Sequence, residues 1–182
     1  FNPKQSSAVR ITDASAGEVC LIYLIIGLVL FIGVHAIPMV RGFRQRLQDR
    51  LGEKRYKGLY SLFALAGLVL IVFGYANARY EQEILWVGPD WGPQLTLVLM
   101  LISLVLLTAA DISGKIKETV RHPMILGVGV WGAAHLLVNG GVADILLFGG
   151  FLAWAIIARI SMGVREAAGV ITVKSGPVRN DI

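Results

Sequence analysis

The sequence has one cysteine, Cys20, and little charge. A single cysteine excludes an internal disulfide and any zinc or iron–sulfur centre built on several thiolates. Asp, Glu, Lys and Arg make up only 16% of the 182 residues, whereas 55% are hydrophobic. Soluble chains run near about 25% charged. The mean hydropathy of +0.68 points the same way. Together these figures exclude a disordered chain, collagen, a coiled coil and a soluble enzyme. Alternating strands of about ten residues are missing, which excludes a β-barrel. There is no internal repeat and no low-complexity run. An all-α integral membrane protein is what remains. On such a chain the net charge of +5 reads as membrane topology, with lipid and not nucleic acid as the partner.

A helix crosses the hydrocarbon core with about 20 apolar residues. Five stretches free of Asp, Glu, Lys and Arg approach that length: Leu21–Val40, Gly58–Ala78, Pro93–Ala110, Pro123–Ala143 and Ile145–Ala158. The last is short, but Arg159 can snorkel and Ile160–Val164 can extend it. The Asn139-Gly140-Gly141 turn and Asp144 predict a tight hairpin between the fourth and fifth. The expected fold is therefore a bundle of about five transmembrane helices over residues 21–163. A polar tail, residues 1–20, precedes it, and a flexible tail, residues 164–182, follows. The first tail lacks the charged-then-apolar layout of a cleavable signal.

Lys and Arg are unevenly spread. The Arg41–Lys57 loop carries seven, Asp111–His122 three and Arg159–Ile182 four, against two before the first span, one in Arg79–Gly92 and none in Asn139–Asp144. The positive-inside rule then places the N-terminus outside and the C-terminus in the cytoplasm. Trp86 and Trp91 are expected in an outer aromatic belt.

Ionisable groups within a span are costly and usually functional. No carboxylate lies in any of the five stretches, which removes a carboxylate-bridged di-iron site and argues against a carboxylate proton relay. The ionisable groups left are His35 in the first helix and His135 in the fourth, with His122 at the cytoplasmic start of the fourth. What remains possible is a site needing only imidazole, such as a haem iron held axially. His122 and His135 are thirteen residues apart, roughly 140° around a helix, so they cannot share one iron. The pairs left open are His35 with His135 and His35 with His122. At about 1.5 Å per residue, His35 and His135 differ in depth by roughly 10 Å. Gly127, Trp131, His135 and Asn139 share one stripe of the fourth helix, where small neighbours admit a helix or a planar macrocycle. Haem propionates prefer cations, for which Arg121 and the loop bounded by Arg41 and Lys57 are candidates, and His122 either caps its helix or meets a propionate.

Several motifs resemble one family. They are Gly-Leu-Val-Leu-Phe-Ile-Gly-Val-His (Gly27–His35), Arg-Tyr-Lys-Gly-Leu-Tyr-Ser-Leu (Arg55–Leu62) and Arg-His-Pro-Met-Ile-Leu-Gly with Trp-Gly-Ala-Ala-His-Leu-Leu-Val-Asn-Gly (Arg121–Gly140). Phe-Gly-Gly-Phe-Leu-Ala-Trp-Ala (Phe148–Ala155) completes the set. Over about residues 21–163 they resemble the NnrU family of the bacterial inner membrane, associated with denitrification. A related family is 15-cis-ζ-carotene isomerase, a membrane enzyme that binds haem b between a first-helix and a later-helix histidine. The resemblance implies those roles for His35 and His135. It also implies either a nitrogen-oxide function with a membrane redox partner or cis–trans isomerisation of a polyene such as a carotenoid, and leaves open whether the chain is an enzyme. The isomerase has a cysteine three residues before its later histidine. Gly132 stands there in this chain, which puts isomerisation by that route in doubt. Arg121-His122-Pro123 with Gly127 is also similar to integral-membrane methyltransferases, where this motif helps hold S-adenosylmethionine. Those enzymes carry an aromatic residue where this chain has Ile125, and paired glutamates where it has only Glu166. A cofactor-free assembly or structural role is the third class.

Overall fold

The structure is a computed structural model. It describes the backbone of residues 3–169 apart from 81 and 113, and side chains from residue 17 onward apart from 41, 81 and 113. In chain order the elements are α1 (Pro3–Ala36), a 3-10 turn (Ile37–Met39), α2 (Arg41–Leu51), α3 (Glu53–Ala78), α4 (Gly92–Ala109), α5 (Lys115–Val120) and α6 (Pro123–Val138). A short α7 (Val142–Asp144), a π-turn (Ile145–Gly149) and α8 (Gly150–Ala167) follow. Among the described residues there is no strand, only an isolated bridge between Ile84 and Gly141. Among the described residues, four segments are long and apolar enough to cross a membrane: Gly17–Met39, Glu53–Ala78, Gly92–Ala109 and Val142–Ala167.

The fourth expected span is shorter than its apolar stretch, because α6 stops at Val138. Asn139 turns the backbone to an extended conformation, and its Nδ2 donates to the His135 carbonyl at 2.9 Å, closing the helix end. The fifth is longer than its apolar stretch. It runs to Ala167, where Gly169 takes up a φ of +68° and ends it in the left-handed manner usual for glycine. Residues 164–167, read as part of a tail, are therefore helical, and residues 170–182 lie outside the described residues. The backbone of α1 is helical from Pro3, through the N-terminal stretch read as a polar tail. The Arg41–Lys57 loop contains a helix, α2, with Phe43, Leu47 and Leu51 at four-residue steps. Gly52, at φ +77°, separates it from α3.

The chain divides into two compact units. One comprises Phe1–Leu85 with Gly141–Leu147, the other Trp86–Gly140 with Phe148–Ile182. In the first unit α1 packs on α3 through glycines. A Cβ on Gly27 would lie 2.7 Å from the Ile71 nitrogen, and one on Gly74 would strike the Leu24 backbone nitrogen. Such close approach is how helices associate in lipid, where hydrophobicity supplies no drive. Large side chains point outward instead: Leu62 is 60% exposed, Leu65 58% and Val72 60%, while Leu24 in the seam is fully covered.

The open end of this unit is closed by a polar network around Asp144, which is buried. Its Oδ1 accepts from the Tyr75 hydroxyl at 2.7 Å, and its Oδ2 accepts from Gln82 Nε2 at 3.0 Å and from the Gly141 N–H at 3.1 Å. Gln82 Oε1 accepts in turn from the Ala143 N–H at 2.9 Å. Replacing Asp144 with alanine strands three donors, each costing about 1–3 kcal/mol if left unsatisfied. D144A should therefore lower the thermal unfolding midpoint in detergent markedly. An unchanged midpoint would mean that water replaces the carboxylate without loss.

In the second unit, hydroxyls hold α4 to α6. Ser103 Oγ donates to the Gly127 carbonyl at 2.8 Å, and Thr96 Oγ1 to the Ala134 carbonyl at 3.0 Å. α6 meets α8 through Gly132, whose absent Cβ would sit 2.8 Å from the Phe148 carbonyl oxygen. Of the two uses that small residues allow on this helix, Gly132 shows close helix packing, and Ala134 is fully covered. Trp86 Nε1 donates to the Leu136 carbonyl at 3.1 Å, within the second unit, near the end of α6.

Candidate functional site

His35 occupies the last turn of α1 and is half-buried. Its Nδ1 lies 2.7 Å from the Phe31 carbonyl oxygen. A carbonyl can only accept, so Nδ1 carries the hydrogen and the lone pair of the neutral ring sits on Nε2. The ring stacks on Phe31 at 4.2 Å between centroids, with Tyr60 at 5.6 Å.

His135, in the second unit, repeats this arrangement. Its Nδ1 lies 2.9 Å from the Trp131 carbonyl oxygen, again one helical turn back, which fixes the same tautomer. The ring stacks on Phe148 at 4.3 Å, and Trp131 stands at 5.1 Å. Trp131 itself meets Phe148 and Phe151 edge-on. His135 is likewise half-buried, so neither histidine is as deeply enclosed as a span position suggests.

Arg121 and His122 are brought together by Glu166, which the sequence alone presents only as one glutamate where the methyltransferases carry two. Glu166 on α8 accepts from Arg121 Nη1 and from His122 Nε2, both at 2.7 Å. The Glu166 side chain is 10% exposed and that of His122 16%. His122 occupies the N-cap position of α6, but its side chain makes no capping bond. Arg121 has φ +64°, the one positive value at a non-glycine residue among those described. Such a conformation costs about 1–3 kcal/mol and persists only where the surroundings over-determine it. Here the chain reverses between α5 and α6, with the Arg121 N–H on the Lys117 carbonyl and the His122 N–H on that of Val120.

Of the basic loop residues, Lys57 pairs with Glu53 at 2.6 Å on an exposed face of α3. The Arg41 side chain lies outside the described residues. No group of three or more His, Cys, Asp or Glu suited to a metal ion occurs among the described residues. An axially held haem asks for fewer protein ligands than that. Asp144 and Glu166 are the polar residues that sequence reasoning passed over. One stood in a turn signal and the other near the chain end, and their partners lie 69 and 45 residues away.

Helices that bury glycine, alanine and serine and expose large apolar side chains define an all-helical membrane protein. Residues 23–181 match the family model described as NnrU protein, and the chain belongs to the NnrU family. No curated protein and no solved structure matches it.

Proposed function

We propose that this chain is a haem b-binding membrane protein of the NnrU type, with His35 and His135 as the iron ligands. It would act in nitrogen-oxide metabolism (denitrification) or in haem-dependent cis–trans isomerisation of a polyene such as ζ-carotene. The observation that carries the reading is the shared tautomer. Each imidazole gives its Nδ1 hydrogen to the carbonyl one turn back, which orients the ring and puts its lone pair on Nε2, as the outer partners of metal-bound histidines do. Aromatic rings flank both imidazoles, a surface suited to a flat apolar macrocycle. When bound, the haem would supply a one-electron iron centre to a membrane redox partner or a polyene substrate. Arg121 would meet a propionate, exchanging one carboxylate partner, Glu166, for another. The visible spectrum of the purified protein tests the reading. A sharp reduced α-band in the cytochrome b region supports it, and a colourless protein from haem-replete cells overturns it.

A second reading draws on the Arg121–Glu166–His122 cluster, which joins an Arg-His-Pro motif to a glutamate in the last turn of α8. It would make the chain a membrane methyltransferase. Saturable binding of S-adenosylmethionine by a colourless protein would favour it.

The proposed setting is the bacterial inner membrane, with the N-terminus outside. In a Cys20→Ser background, single cysteines at the exposed positions Val87 and Lys115 flank α4. An impermeant maleimide should label Val87→Cys in intact spheroplasts, and Lys115→Cys only after lysis. Labelling of both from outside would contradict this orientation.

A further inference from the structure

The Arg55–Leu62 motif takes little part in the histidine chemistry, yet four of its side chains converge. Tyr56, Lys57, Tyr60 and Ser61 fall on neighbouring turns of α3. With Arg44 and Gln48, one turn apart on α2, they line a recess of about 460 Å³ in the first unit. Its chemistry is one-sided. A guanidinium, an ammonium, an amide and three hydroxyls can all donate, and the two cations cannot accept. The acid at its edge is Glu53, which holds Lys57 at 2.6 Å and also feels the charge of Arg44. Two positive charges against one negative leave a surplus of one. The complementary ligand is a monoanion rich in acceptor oxygens, which describes a phosphodiester.

The place of the recess says where that phosphodiester comes from. The span Gly17–Met39 ends beside it, and the span Glu53–Ala78 begins there. On the following turns of α3, Leu59 is 40%, Leu62 60% and Phe63 45% exposed, an apolar surface that acyl chains can follow. We propose that the recess binds the phosphate of an anionic phospholipid, held by Arg44 and Lys57, with its acyl chains running along α3. Tyr60 also stands 5.6 Å from the His35 ring, so the recess borders the proposed haem ligand, but lipid binding there does not require haem.

Native mass spectrometry of the full chain in a neutral detergent tests this, with phosphatidylglycerol, phosphatidylcholine and inorganic phosphate as probes. One net charge near the headgroup layer gives about a fivefold preference for phosphatidylglycerol over phosphatidylcholine. Arg44→Gln should erase that preference. Glu53→Gln, which removes the competing carboxylate, should raise it by about the same factor again. Arg46→Gln, on the same helix but not lining the recess, should leave it unchanged. Equal retention of both lipids by the parent overturns the proposal, as does an equal loss from Arg46→Gln and Arg44→Gln. Displacement of phosphatidylglycerol by an equal concentration of inorganic phosphate would assign the recess to the free anion and overturn the lipid assignment.

Discussion

If His35 and His135 hold a haem as proposed, replacing either with alanine should abolish the low-spin spectrum, through loss of the haem or conversion to a high-spin, five-coordinate form. His122→Ala should retain the parent spectrum, because the His122 Nε2 is already held by Glu166 at 2.7 Å. The three variants together decide between the two ligand pairs that sequence spacing leaves open. Added imidazole should restore a six-coordinate signal to whichever variant keeps its haem, since it replaces a ligand and not a fold. If His122→Ala alone removes the low-spin signal, the second ligand is His122. Three variants that all match the parent would end the haem reading.

The second large effect is mechanical. Gly74→Leu places a branched side chain where even a Cβ would collide with the Leu24 backbone nitrogen and lie 2.8 Å from its Cα. Nothing on the facing side is a flexible side-chain end that could swing away. Overpacking a close seam costs about 1–3 kcal/mol and more where backbone must move. Gly74→Leu should fold poorly, aggregate on extraction and lose thermal stability well beyond Gly33→Leu, a control position in the same unit where a Cβ meets nothing within 4 Å. Equal stability of the two variants would mean that the α1–α3 seam relaxes freely.

The membrane class, the long apolar helices and the family were all legible because they rest on local quantities: runs of apolar residues, absent carboxylates and contiguous motifs. The roles of α2, Asp144 and Glu166 were hidden for a common reason. In α2 the density of arginine drew attention to charge and away from the Phe43, Leu47 and Leu51 spacing beneath it. Asp144 looked like turn punctuation, and only the fold shows it accepting from a tyrosine 69 residues earlier. Glu166 gains its meaning from Arg121 and His122, in the turn between α5 and α6. The end of α6 at Val138, inside an apolar stretch, depends on one asparagine side chain reaching back a turn. Hydropathy windows cannot register a single hydrogen bond.

The Asp144 network also sets an order of events during synthesis. Gln82 emerges from the ribosome 62 residues before the carboxylate that it will bond, an interval of about 3–12 s at ordinary elongation rates. For that time α1 and α3 can close their glycine seam, but Tyr75 and Gln82 have no acid to meet. The first unit is therefore begun early and finished late. Its last piece, Gly141–Leu147, arrives only after α4 and α6 have been made. Nascent chains arrested before Gly141 would hold the Tyr75 hydroxyl and the Gln82 amide without the carboxylate that joins them in the finished fold.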